Sequence, residues 1–247
     1  MNPTLTASPA RLSGPRSSLH LVPRLFVRGP LALHKFQLFL LALVCCLFQS
    51  GCVTGRRNVS LPIPSLSAAA AAKGEISLGA VVDNRRFENK PAIPETPSID
   101  GDALSLTAEQ RAAFIGRQRN SYGHAMGDIT LPAEDSVTKR ARLLFAEALK
   151  HRGYQVTEKD GSAGSLDITI DEFRAWFTPG MFSVSFEANI ACKVDVKRSA
   201  GNAQFVVHGH GLNQGQIASD ENWQLAYTRA FENFLSNLDQ ELTKAGL

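Results

Sequence analysis

The residues that come closest to a metal-binding pattern in this sequence are two histidines at alternate positions, His208 and His210. Side chains two residues apart share one face of a β-strand, so both imidazoles could ligate the same ion. Phe205 and Val207 mark the opposite, apolar face of that strand, which indicates that the histidines point to water. The spacing supplies no third ligand. We therefore predict no metal site and no bound cofactor.

Paired carboxylates are a second arrangement that could do chemistry, as a general acid and base. Asp167 and Asp171 share the polar face of a neighbouring strand, but four strand residues place them ~13 Å apart. That exceeds the separation of a paired acid/base site. The sequence also contains no GxSxG, P-loop or HExxH motif. We predict that the protein is not an enzyme; a hydrolase built on His208 or His210 is the alternative.

The third reactive group is the thiol of Cys52, which follows an apolar run of 13 residues at positions 36–48. A membrane-spanning helix needs about 20 such residues, whereas a shorter run after a basic stretch suits a secretory signal. Ser50-Gly51-Cys52 resembles the end of a bacterial lipobox, from which Gln49 departs. We predict cleavage after Gly51 and attachment of a diacylglyceryl group to Cys52. An ordinary signal peptide or N-terminal anchor is the alternative.

The charge balance depends on whether residues 1–51 are removed. That segment holds five of the 26 Lys and Arg residues and no Asp or Glu. Its removal leaves 21 basic against 23 acidic residues, so a formal charge of +3 becomes −2. The remaining basic residues occur singly or in short clusters, which predicts no binding to nucleic acid. Cys45 and Cys46 would leave with the signal, so Cys192 is expected to be an unpaired, buried thiol.

Composition divides the chain into three segments. Residues 1–51 are the predicted signal peptide, with an unusually long n-region before the apolar run. Residues 52–75 begin with the lipidated Cys52 and are rich in Pro, Ser and Ala, which predicts a flexible tether with a reach of ~60 Å. Residues 76–247 are expected to form a single domain, with a Pro-rich surface insertion around 88–113.

Hydrophobic periodicity predicts the elements of this domain. Apolar residues at spacings of three and four predict amphipathic helices from about 135 to 151 and from about 220 to 244. Segments of alternating polarity joined by turns predict an antiparallel meander. We expect an α+β fold, with a largely antiparallel sheet of about four to five strands and two amphipathic helices packed on one face. The predicted strands are 76–82, 128–131, 166–177, 182–196 and 203–212.

Charged residues and glycines also cluster in the loops that follow the first strand. They could meet at one edge of the sheet, either as a solvated surface or as a binding patch for an anionic or peptide partner. An envelope protein is the candidate partner, and the sequence sets no expectation for the oligomeric state. The candidate patch consists of Asp83, Arg85, Arg86, Gly116 and Arg117.

Several short motifs resemble the YajG-like family of small Gram-negative lipoproteins. These motifs are Cys52, Val82-Asp83 followed by Arg85, Gly116-Arg117 ahead of Tyr122-Gly123, and LLFAEALKHRGYQV at 143–156. The similarity covers about residues 76–243 and departs at the long N-terminal extension and the Pro-rich insertion.

Members of that family have no established enzymatic activity, so the resemblance implies a cellular location and a fold but no reaction. Lipoproteins retained at the inner membrane typically carry Asp after the lipidated cysteine, where this chain has Val53. The resemblance therefore implies an outer-membrane anchor with the domain facing the periplasm. Within that setting we expect a non-enzymatic binding or accessory module. The alternative is an auxiliary lipoprotein of a lipid or solute transporter, which should have an apolar cavity between helices and sheet.

Overall fold

The computed structural model describes residues 55–67, 71–120, 124–158, 163–181 and 183–247. The predicted signal peptide, its cleavage site at Gly51 and Cys52 lie outside the described residues. The elements are β1 (Arg57–Asn58), β2 (Gly74–Asp83), a 3-10 turn (Ala103–Ser105), α1 (Ala108–Arg111), β3 (Phe114–Arg119), β4 (Ala125–Thr130), α2 (Val137–His151), β5 (Tyr154–Thr157), β6 (Ser165–Pro179), β7 (Val184–Lys197), β8 (Ala203–Gly215) and α3 (Asp220–Lys244).

The sheet is organised around its longest strand, β6. On one side, β6 pairs with β7 in an antiparallel ladder over its whole length, and β7 pairs in the same way with β8. On the other side two strands lie end to end, with β2 parallel to the first half of β6 and β3 parallel to the second half. β5 pairs with β2, β4 pairs with β3, and β1 adds a parallel strand to β4.

This topology confirms an α+β fold but corrects the predicted sheet. The described residues form eight strands, not four or five, and four of their seven pairings are parallel. Hairpins leave a turn in the sequence, and the meander β6–β7–β8 was predicted from such turns. Parallel pairs are joined by long crossovers that leave no local signal, so the sequence predicted the strand at 76–82 but none of the parallel pairings.

The two long helices, α2 and α3, begin at serine caps and contribute to one core. The Ser136 hydroxyl accepts the Lys139 N–H at the start of α2, and the Ser219 hydroxyl accepts the Asn222 N–H at the start of α3. α2 packs on β2 and β5, while α3 packs on β7 and β8. The two helices contact each other through an edge-to-face aromatic pair, in which the ring centroids of Phe145 and Phe234 are 5.7 Å apart.

Two glycines of β8 allow α3 to approach the sheet closely. Gly209 and Gly211 lie on the strand face that meets the helix, and a Cβ at either position would collide with the helix backbone at Ala226 or Ala230. Their role is therefore steric, because the small residues of strand and helix interdigitate.

The predicted tether is wrong over residues 57–66, which are part of the domain. Val59 and Leu61 are buried in the main core, and the Val59 N–H donates to the Thr130 carbonyl oxygen at 2.8 Å. Further along, the Leu66 N–H donates to the Glu147 carboxylate at 2.7 Å. Proline and serine are common in extended surface chains as well as in linkers, so composition did not distinguish the two. The described chain from Gly55 onward therefore belongs to the domain, which begins before the predicted start at 76.

Two further features of the described residues bear on function. Cys192 is fully buried in the core, where burial raises the pKa of its thiol and keeps it protonated. Among the helices that the structure describes, none combines the length and the apolar character needed to cross a bilayer.

Candidate functional site

A β-bulge in β6 decides which side chains reach the outer face of the sheet, away from the helices. The register shifts between Ile170 and Glu172, so that Ile170 and Phe173 both point into the core. Beyond the bulge, Arg174 and Trp176 therefore project to the outer face. Both side chains are nearly inaccessible to solvent although they point away from the main core. Another part of the chain must therefore cover them.

The Pro-rich segment supplies that cover. It was predicted as a surface insertion, and residues 87–106 fold onto the outer face, where Phe87 and Ile99 form a small core with Phe114 of β3. Arg174 fastens it, since its Nε donates to the Pro94 carbonyl oxygen at 3.1 Å and its terminal nitrogens lie 3.4 Å from Ser98 oxygens. Burial lowers the pKa of Arg174 to about 9.

A groove of about 510 Å³ lies between this cover and the sheet. Arg174 and Trp176 lie along its wall, and Ile93 contributes an exposed apolar side chain from the cover. Its charged lining is mainly acidic, with four carboxylates against the guanidinium groups of Arg86 and the buried Arg174. The carboxylates belong to Glu88, Glu95, Asp171 and Glu172.

The predicted binding patch does not form as a surface, because Arg85 is buried at the junction of β2, β3 and β6. Its Nε and one terminal nitrogen each lie 2.8 Å from an Asp83 oxygen. The other terminal nitrogen donates to the carbonyl oxygens of Phe114 at 2.6 Å and Phe173 at 2.9 Å. A further bond reaches the Arg111 carbonyl oxygen at 3.1 Å. Arg85 thus satisfies backbone carbonyls at the point where β2 ends and β3 begins.

Arg117 is also buried and structural. It donates to the Ile99 carbonyl oxygen, and its guanidinium lies 3.2 Å from Asp100 and 3.8 Å from Asp128. Burial raises the pKa of Asp128, while the Asp100 N–H, which donates to it, acts in the opposite direction. Arg117 therefore holds the cover to β3.

The other members of the predicted patch serve different purposes. Gly116 lies where β3 crosses close to β6, and a Cβ there would come within 2.7 Å of the Ala175 carbonyl oxygen. Asp83 pairs with Arg85. Arg86 is exposed, and among the patch residues it alone lines the groove. An anionic partner is disfavoured here, since the carboxylates of the groove outnumber its guanidinium groups.

The residues first considered for catalysis do not converge. His208 and His210 are exposed on the outer face of β8, and His210 Nδ1 lies 2.9 Å from the Asn189 side-chain oxygen. Asp167 forms an ion pair with Lys197 at 2.6 Å, and this hydrogen bond holds the pKa of Asp167 below its usual range. Within the described ranges, His, Cys, Asp and Glu side chains form no group of three suited to a metal ion.

Sequence reasoning missed Arg174 and Trp176, which form the groove with the cover. A signal was present, because Phe173-Arg174-Ala175-Trp176-Phe177 places an arginine inside a run of apolar residues. The apolar face shifts from even to odd positions there, which is the pattern that a bulge produces.

Known proteins were compared with this chain by sequence and by structure. The sequence matches no family model and no curated protein. Among solved structures, it is similar to a protein of Xanthomonas campestris described by the family model DUF330, with 12% identity over 77% of this chain and 96% of that chain and a TM-score of 0.41. A second similar structure is that of an uncharacterised protein, with 9% identity, coverage of 76% and 98%, and a TM-score of 0.38.

Replacing Arg85 by Met is expected to lower the free energy of unfolding by about 3 kcal/mol, because it leaves the Asp83 carboxylate and the strand carbonyls without their donor. Arg86→Met is the matched control, since Arg86 is the exposed neighbour, and should change stability by less than about 0.5 kcal/mol. Urea unfolding of the purified proteins measures both. Equal effects of the two changes would contradict the assigned role of Arg85.

Proposed function

We propose that this protein is a lipid-anchored lipoprotein of the bacterial envelope that acts as a non-enzymatic binding module. Its groove takes an extended, basic segment of a partner protein. The observation that carries the binding role is the groove itself, which an arginine-fastened cover creates over the outer face of the sheet. Clefts at the junction of two packed layers are common ligand sites.

The anchor is supported by the sequence that precedes the domain. The apolar run 36–48 and the small residues Ser50 and Gly51 lead to Cys52. The motif similarity to YajG-like lipoproteins supports the same location in the bacterial envelope, and Val53 favours the outer membrane with the domain facing the periplasm.

The chemistry of the groove favours a basic peptide. Its four carboxylates attract Lys or Arg side chains, and the backbone of an extended segment offers both donors and acceptors to the polar wall. The exposed side chain of Ile93 adds apolar contact.

The two alternatives gain less support from the described residues. A transporter auxiliary with an apolar cavity between helices and sheet would need space that aromatic rings occupy, for example where Phe173 stacks on Tyr227 at 5.4 Å. A hydrolase built on His208 and His210 would need a third catalytic or ligating group beside two exposed histidines.

Intact-mass analysis of the protein extracted from membranes tests the anchor. We expect a mature chain that begins at Cys52 and carries a diacylglyceryl group. Cys52→Ser should abolish the lipid mass and release the protein from the membrane fraction, whereas Cys192→Ser, the matched control, should leave the lipid in place. A mature chain that begins elsewhere would refute the anchor.

Site-specific photocrosslinking tests the groove. A benzoylphenylalanine at Ile93 is expected to capture a partner in cells, whereas the same group at Leu143, exposed on α2, should not. The double change Glu88→Lys and Glu172→Lys should reduce the yield at Ile93 several-fold, because it reverses two charges of the groove. Glu232→Lys on the exposed side of α3 is the control for a general charge effect. Equal capture at both positions, or no effect of the charge reversal, would count against a basic segment in the groove.

A further inference from the structure

The chain between the lipid-bearing residue and the folded domain is very short. The Gly55 N–H donates to the Met126 carbonyl oxygen at 2.9 Å, and β1 then pairs with β4 from Arg57 onward. Only three residue steps separate Cys52 from Gly55, so the reach of this connection is at most about 11 Å. If Cys52 carries lipid, as the proposed function requires, the domain must lie directly against the bilayer.

The topology determines which end of the domain this is. Gly55 lies beside the start of β4, next to the β3–β4 connection. β3 runs parallel to β6, with Arg117 opposite Trp176, so the β6–β7 turn lies at the same end. The ladder between Val184 and Gly215 brings the end of β8 there as well. We call this region the anchor end and define it by residues 178–181 and 215–220 together with the described residues that flank the β3–β4 connection.

An ion pair fixes β1 to the anchor end. Arg57 lies 2.6 Å from the Asp220 carboxylate and also donates to the Ala218 carbonyl oxygen, immediately before α3. Lipid attached to Cys52 would therefore be held beside the start of α3 and the tip of the β6–β7 hairpin.

The anchor end also presents apolar side chains to solvent. Met181 is 89% exposed and Ile217 is 69% exposed, which are the two highest values among the large apolar side chains of the described residues. The turn at the opposite end of β7, residues 198–202, contains no large apolar residue. Along β6 the two ends are separated by ~45 Å. Apolar side chains near a lipid surface gain free energy by entering the boundary between headgroups and acyl chains.

We propose that the anchor end is a membrane-contact surface, whose occupant is the phospholipid bilayer that holds lipidated Cys52, and that Met181 and Ile217 enter its headgroup region. The short connection brings the surface to the membrane, and the two apolar side chains set the orientation. The β7–β8 turn at 198–202 then points away from the bilayer.

Fluorescence quenching in vesicles tests this orientation. The mature lipidated protein is reconstituted into vesicles of phosphatidylethanolamine and phosphatidylglycerol that contain a nitroxide-headgroup lipid. A fluorophore is attached to a cysteine introduced by Met181→Cys, Ile217→Cys or, as the distal control, Ser199→Cys. The native Cys192 is fully buried and should not be labelled.

We expect quenching at positions 181 and 217 to be several-fold stronger than at position 199. Equal quenching at all three positions, or stronger quenching at 199, in protein with an intact diacylglyceryl group would overturn the membrane-contact surface while leaving the lipid anchor standing. Intact-mass analysis of the same samples separates the two proposals, because a chain without lipid on Cys52 would overturn both.

Discussion

The buried guanidinium of Arg85 is the contact on which much of the remaining architecture depends. Because β2 and β3 lie end to end along one side of β6, the ladder is interrupted between them and leaves carbonyl oxygens of Phe114 and Phe173 in need of donors. A guanidinium can supply several donors from one side chain, and the neighbouring Asp83 balances its charge. A buried group of this kind stabilises only when every partner is present, so the junction is intolerant of change.

The half of the sheet that β3, β4 and β1 form depends on that junction and contacts both proposed surfaces. β3 positions Arg117, which holds the cover over the groove, and β3 also pairs with β4. β4 in turn pairs with β1, the segment that ties the N-terminal side of the domain to Asp220 at the start of α3. The proposed groove lies over β6, and the proposed membrane-contact surface lies at the β6–β7 and β8–α3 connections. Each is joined to the half of the sheet whose placement against β6 depends on Arg85. Each surface is proposed from a different observation, the cover in one case and the short connection in the other.

The parts of the fold that the sequence predicted are those with a local periodic signal. The stripe of Ala141, Leu144 and Phe145 and the aromatic stripe around Phe231 predicted α2 and α3, and alternating polarity predicted β6, β7 and β8. The parallel pairings could not be predicted, because they join segments far apart in the chain and leave no turn between them. Arg85 and Arg117 were interpreted as surface charges. The carbonyl oxygens that accept their hydrogen bonds come from distant parts of the chain, which only the tertiary structure brings together. In residues 57–66, two apolar residues such as Val59 and Leu61 do not form a periodic pattern that distinguishes a segment packed on the domain from a linker.

Residues 55–66 belong to the folded domain, so that at most about 11 Å of chain connects Cys52 to the surface beside Met126. Hydrogen exchange of the backbone amides in this segment measures that most directly. We expect the amides of Gly55 and Val59, which donate to β4 carbonyls, to be protected to a degree similar to those of β4 itself. Exchange of these amides at the rate of an unstructured chain would show a flexible tether instead and would contradict this expectation.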